Sequence, residues 1–388
     1  MAASATTRPS RLRAALAALV TILILAPAGV LVIWVWNDNQ DRRDTTQLEQ
    51  HGVEYLTSLS PLISGLVEAQ SSALQGVSTA PASLTSAVAR VATVDQGLGD
   101  VLGTHERWSG LRDKIQRLPS VTGSPVEIFQ AYVEATDLAL ALYNAVREKS
   151  ELVRDPDNDL SNMQQALSVD LPATVVQVSR MGDLSQMVAN ITGSAAQRQQ
   201  AQAILVPQFG AAVQQVNTDV ASLTDNLQSA VDDTASTTLS GNLVTSVDSF
   251  RRGVESFTRG ADPTGGKPNT ATMATAQSQL QSSLSGLAGV LVREMNGLLQ
   301  DRQDRLDTRR LELVVTAGVL VLLVLIALIL PLTGRRRGGA PTGGDQTGRG
   351  VSVSPERPAN GYGGGPLDQM PTYGAVNPTR RERSGALR

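Results

Sequence analysis

The sequence contains no cysteine and only two histidines in 388 residues. Without cysteine the chain can form no disulfide and has no thiolate chemistry. His51 and His105 are far apart, so the spacing of a histidine metal site or a catalytic triad is missing. We expect both to be structural or exposed helical residues. We also predict no catalytic, cofactor-binding or metal-binding residues, and no enzymatic activity.

Aromatic residues are also scarce, at 3% of the chain. A sheet core needs more aromatic and β-branched residues at alternating positions, whereas most of this chain is rich in Ala, Ser, Val, Leu, Gln and Thr. This composition predicts an all-α protein. The net charge of −3 decides nothing about partners, and we expect no binding of nucleic acid.

An apolar run near the C-terminus is the strongest feature that is present. Residues 313–332 carry no charge, and about 20 apolar residues rising about 1.5 Å each match the roughly 30 Å hydrocarbon core of a membrane. Arginines occupy positions 335–337, and a basic cluster beside a span marks its cytoplasmic end. The run therefore predicts a transmembrane helix that ends in the cytoplasm.

A second apolar run covers residues 14–36 and follows three arginines within residues 1–13. The small residues at 26–28 resemble the cleavage site of a signal peptide. The apolar region of a signal peptide, however, has only about 7 to 15 residues. We favour a retained membrane anchor, with a cleaved signal peptide as the alternative.

These runs divide the chain into five predicted parts. The predicted parts are a cytoplasmic N-terminus at 1–13, a first transmembrane helix at 14–36, an extracytoplasmic domain at 37–310, a second transmembrane helix at 311–333 and a cytoplasmic tail at 334–388. The expected location is the inner membrane of a bacterium, with both termini in the cytoplasm.

The tail, residues 334–388, is rich in Gly, Pro and Arg and has almost no aliphatic residues. Such a composition cannot bury enough apolar surface to fold, so we expect disorder. Ser384 follows Arg380, Arg381 and Arg383, and a phosphate there would cancel much of the local charge. Ser384 is therefore a candidate modification site. The alternative is that the tail arginines only set topology and keep the tail soluble.

Between the two runs, apolar residues recur every three or four positions in seven segments. This spacing predicts helices with one buried face. Ser124, Pro125 and Glu127 have the order of a helix-capping box, so a helix should begin there. The first segment must lead away from the membrane and the last must return to it. If all six junctions were reversals, the seventh segment would also lead away, so we expect one junction, at 80–81 or at 192–194, to be a kink. The predicted fold is one tall antiparallel bundle or two stacked four-helix bundles.

Three acidic residues alternate at Asp155, Asp157 and Asp159. A calcium loop has this alternation, but it also needs a glycine at its sixth position and a glutamate at its twelfth, where Ala166 lies. We favour carboxylates that cap the following helix, near its positive N-terminal end. Calcium remains the alternative.

A longer pattern surrounds these acids. It consists of Ser150, Leu152, Asp155, Pro156, Asp157 and Asp159, followed by Met163 and then Leu171-Pro172. The pattern resembles the S-x-L-x-x-D-P-D-x-D, M and L-P sequence in the extracytoplasmic helical-bundle sensor domains of bacterial chemoreceptors and sensor histidine kinases. One departure is that Leu160-Ser161-Asn162 replaces the aromatic pair usual in that family.

The resemblance implies a membrane receptor whose bundle binds a ligand, and a homodimer, because that family is dimeric. We expect no HAMP linker or output domain after the second run, so a signal would pass to a cytoplasmic or membrane partner, in part through the tail. The alternative is a non-signalling scaffold or interaction protein of the cell envelope.

The topology can be tested with single cysteines, since the natural chain has none. We expect Ser124→Cys to react with a membrane-impermeant maleimide on intact cells and Thr342→Cys to react only after lysis. Labelling of T342C from outside would contradict the topology.

Overall fold

The computed structural model describes residues 9–153, 155, 158–234, 237–261 and 268–333. Every regular element in these ranges is helical, which confirms the all-α prediction. The helices are α1 Pro9–Leu74, α2 Ala82–Leu102, α3 His105–Arg117, α4 Pro125–Lys149, α5 Asn158–Gln165, α6 Leu171–Ala189, α7 Ala195–Asp233, α8 Thr237–Ala261 and α9 Thr270–Thr333. A 3₁₀ turn, Leu118–Ser120, follows α3, and a π-helical turn, Ala166–Asp170, joins α5 to α6. Residues 334–388, with Ser384, lie outside the described ranges.

The first helices form an antiparallel series. Gly65 of α1 lies against Leu84 of α2, and the Tyr55 hydroxyl donates a 2.7 Å hydrogen bond to Asp95, so α2 runs back along α1. Gly103 then has φ of 59°, in the left-handed region that ends many helices. The imidazole of His105 lies 2.7 Å from Asp95, which places the start of α3 beside α2 and makes this junction a reversal.

This reversal corrects the expected kink. The second of the seven periodic segments, residues 84–118, forms two antiparallel helices, α2 and α3, so the remaining junctions can all be reversals. At 80–81 the chain turns back into α2. At 192–194 it also turns back, because Asn226 near the end of α7 binds Asp170 at the start of α6, with 2.6 Å between Nδ2 and Oδ2.

Local sequence explains where several helices begin. The predicted capping box is confirmed: the Ser124 amide donates to Glu127 Oε2 at 2.7 Å, and Ser124 Oγ accepts from the Glu127 amide at 3.4 Å. Ser194 and Gln197 form a second box at the start of α7. The π-helical turn ends just before Pro172, which has no amide proton to donate. Its last hydrogen bond runs from the Leu171 amide to the carbonyl oxygen of Ala166, five residues earlier.

The helices surround one continuous apolar core, which includes Leu59, Leu142, Val176, Leu223 and Leu291. The first and last helices are neighbours in this bundle and run antiparallel. Their pairing includes a 2.9 Å ion pair between Arg43 and Asp307, and a cation–π contact in which the Arg310 guanidinium lies 5.0 Å from the Trp36 ring.

In the part of the chain that the structure describes, none of the helices combines the length and the apolar character needed to cross a membrane.

Close approach of α1 and α4 can be tested at Gly52, where a methyl group would overlap the Ser150 side chain. We expect Gly52→Ala to lower the free energy of unfolding by about 1–3 kcal/mol, since overpacking a tight contact costs that much. Thermal unfolding measures this loss, and S150G should recover part of it.

The matched control is Gly297→Ala in α9, where a methyl group would meet nothing within 4 Å. This change should leave stability unchanged or raise it by up to about 1 kcal/mol, because alanine favours a helix. Equal stability of G52A and the natural protein would show that α1 and α4 do not approach this closely.

Candidate functional site

A buried ion pair joins three parts of the chain at one end of the bundle. Arg302 of α9 contacts both carboxylate oxygens of Asp155, at 2.6 and 2.8 Å, and Glu49 of α1 at 3.2 Å. The side chains of Asp155, Glu49 and Arg302 are 0%, 2% and 15% exposed. Two-pronged contact between a guanidinium and a carboxylate is the strongest form of such a pair. We call these three residues the base cluster.

The turn after α4 brings Asp155 to this cluster. Ser150 ends α4, and the Leu152 amide donates to Arg147 O at 3.0 Å, which is the bond of a Schellman turn. Leu152 is 1% exposed and anchors the turn in the core. Glu151 has φ of 59°, where glycine is usual, and a side chain in that region costs about 1–2 kcal/mol.

The other residues of the predicted pattern have separate places. Asp159 in the first turn of α5 accepts from the Leu160 amide at 2.8 Å and from the Thr234 hydroxyl at 3.0 Å. Met163 is fully buried in the core, and Pro172 is buried in the first turn of α6.

Pro156 and Asp157 lie outside the described residues. Capping of α5 by the aspartates of this pattern therefore stays a prediction. Among the residues that are described, no group of three or more histidine, aspartate or glutamate side chains is arranged to hold a metal ion.

Burial changes the electrostatics of Glu49. Loss of solvent raises the pKa of this carboxyl above its usual range, and the nearby charge of Asp155 raises it further, while Arg302 and a hydrogen bond from Gln164 act in the opposite direction. One positive charge thus faces two carboxyl groups in a poorly hydrated place. Protonation of Glu49 balances the charge of the base cluster.

A cleft of about 740 Å³ opens beside the base cluster, between α1, α9 and the end of α4. We call it the base cleft. Its lining contains four arginines and four acidic residues: Arg42, Arg302, Arg305, Arg309, Asp41, Glu49, Glu148 and Glu151. The volume lies in the range of about 300–1,000 Å³ that small-molecule sites occupy. Arg302 and Glu49 already contact each other in the base cluster. The remaining three arginines and three acidic residues are equal in number, so the cleft favours neither a simple anion nor a simple cation.

Two further polar clusters lie between helices of the bundle. The carboxylate of Asp183 in α6 accepts from Gln70 and Ser71 of α1, both at 2.8 Å, and burial raises the pKa of Asp183 to about 6. Asp95 accepts from Tyr55 and contacts His105. The hydrogen bond that the His105 ring donates to Asp95 raises the pKa of His105. Both clusters connect neighbouring helices, which is the structural role expected for His105.

Sequence reasoning missed Glu49 and Arg302. The two lie 253 residues apart, and no local pattern distinguishes either from the exposed charges beside it. Comparison with protein-family models, with curated proteins and with solved structures finds no match to this chain.

The raised pKa of Glu49 predicts a pH dependence. The folded state keeps a proton on this carboxyl at pH values where the unfolded state, with an ordinary value of 4.5, has lost it. Stability from this group is therefore complete below about pH 4.5 and falls as the pH rises until the folded-state pKa is passed. Glu49→Gln cannot titrate, so its melting temperature should fall less over this range.

Glu148→Gln serves as the control, since Glu148 is exposed at the same end of the bundle. It should keep the pH dependence of the natural protein. Identical melting profiles for E49Q and E148Q between pH 4.5 and 9 would refute the assignment.

Proposed function

We propose that this chain is a bacterial inner-membrane protein in which residues 37–310 form an extracytoplasmic, receptor-like bundle without catalytic activity of its own. The bundle binds a small ligand or a component of the envelope and relays this binding to a partner. The observation that carries the proposal is the pairing of α1 with α9, which brings both apolar runs to the same end of the bundle.

Exposed apolar side chains support the membrane part of this proposal. Most of the exposed large apolar residues lie at the start of α1 and the end of α9, as in Leu23, 68% exposed, and Leu311, 67% exposed. Val32 and Ile33 of α1 line a groove with Leu313 and Val314 of α9, so the two ends lie side by side. Exposed apolar side chains grouped in this way mark a site of interaction with a membrane or another protein. The apolar runs at residues 14–36 and 313–332 support the same proposal, because each is about as long as a membrane span requires.

The base cluster supports the relay. It connects α1 and α9 to the turn after α4, and the base cleft opens beside it. A ligand in that cleft contacts both helices that lead to the proposed spans. Binding there can shift one helix against the other by about 1–2 Å, which is the scale on which helices at interfaces move.

The resemblance to chemoreceptor and sensor-kinase bundles supports a receptor, and with it a homodimer. The tail, residues 334–388, is the proposed contact with a cytoplasmic partner, and Ser384 its proposed modification site. A passive envelope scaffold is the competing function.

A thermal-shift screen separates receptor from scaffold. We expect the full chain in detergent to gain stability from at least one compound in a broad panel of small polar metabolites and cell-wall fragments. A ligand at 100 times its dissociation constant adds about 2.7 kcal/mol. A panel without any hit favours the scaffold and rejects the receptor.

A further inference from the structure

The base cleft has walls of opposite charge. Arg305 and Arg309 are four residues apart on α9 and so share the helix face that lines the cleft; they form its basic wall. Glu148 in the last turn of α4 and Glu151 in the following turn line the cleft as well; they form its acidic wall. All four residues are exposed, so a ligand from solvent can reach them.

The walls do not neutralise each other. Among the described residues, the side chains of neither wall form an ion pair or a hydrogen bond. Exposed opposite charges form ion pairs when nitrogen and oxygen come within about 4 Å, so the walls are held farther apart than that. A ligand that carries both charges can contact both walls at once.

The backbone at Glu151 gives a second, independent observation. This residue keeps a left-handed conformation, with φ of 59°, at the rim of the cleft. Glycine would adopt this conformation without strain. A strained residue with a charged side chain at the edge of a cleft is a basis for inferring function.

The basic wall rests on a fixed base. Arg302 lies three residues before Arg305 and is held by Asp155 and Glu49. The last turn of α4 is held by packing, because Leu152 is buried and Ser150 packs against Gly52. Walls that are already positioned lower the entropy lost on binding.

The position of the cleft favours a soluble ligand over a lipid headgroup. Its α1 residues, from Asp41 to Glu49, follow Trp36 by five to thirteen positions, about 7–20 Å along a helix. The headgroup layer of a bilayer is only about 5–8 Å thick. If Trp36 marks the interface, most of the cleft lies beyond that layer.

We propose that the base cleft binds a small zwitterion of the amino-acid class, with its carboxylate at Arg305 and Arg309 and its ammonium group at Glu148 and Glu151. This inference rests on the proposed receptor function and names the ligand class of that receptor. The equal numbers of acidic and basic residues in the lining select against ligands with one charge.

The test measures binding of the twenty common L-amino acids, as a mixture and then singly, to the full chain in detergent by calorimetry and thermal shift. Acetate and methylamine are the probes with a single charge. We expect at least one amino acid to bind and to raise the melting temperature, and neither acetate nor methylamine to do so at the same concentration.

Two variants assign the binding to the cleft. R305Q/R309Q removes the basic wall through exposed residues, and Glu151→Gly removes an acidic group while it relieves backbone strain. We expect each to weaken amino-acid binding at least tenfold, and E151G to melt at a higher temperature than the natural protein without ligand. Arg90→Gln, on the exposed surface of α2, is the matched control and should bind normally.

The outcomes separate the two proposals. If an amino acid binds equally well to all these variants, the cleft is not the site, although the receptor stands. The amino-acid class is also wrong if acetate or methylamine alone stabilises the protein. It is wrong as well if the protein gains stability only in nanodiscs that contain phosphatidylethanolamine. If the broad metabolite panel also gives no hit, the receptor function itself is wrong.

Discussion

The buried guanidinium of Arg302 constrains the whole bundle. A charge removed from water needs an opposite charge within reach, and leaving one partner of such a pair alone costs about 3–5 kcal/mol. Asp155 provides that charge, and Glu49 adds a further carboxyl contact to the guanidinium, so α1, α9 and the turn after α4 cannot separate without exposing or isolating it. The base cluster thereby fixes the register of α1 against α9 at the end of the bundle where both apolar runs lie.

Above this cluster the core is built mostly of leucine, valine and alanine, which pack in several registers with similar energy. We infer that buried polar contacts select one register, as they do in coiled coils. Asp183 with Gln70 and Ser71 joins α6 to α1, and Asp95 with Tyr55 joins α2 to α1. α1 is common to all these contacts, and the other helices are ordered around it.

The strained backbone at Glu151 and the buried Glu49 carboxyl with its raised pKa lie at the same end of the molecule. Both lower the stability of the folded protein, and neither is needed for the apolar core. Features that cost stability are retained most readily where they serve binding or switching. Their place beside the base cleft is consistent with a ligand site that also controls how α1 lies against α9.

The sequence by itself determined the helical class, the capping box at Ser124 and the breaks at 80–81 and 192–194, because periodicity and capping act within a few residues. It also identified Ser150, Leu152 and Asp155 as a group. Only the tertiary structure decided that Asp155 binds Arg302, that Glu49 joins them, and that the chain reverses at Gly103. The physical reason is that an apolar stripe shows which face of a helix is buried, but it does not show which other helix covers that face. Contacts between residues 253 positions apart depend on the folded arrangement of all the helices between them.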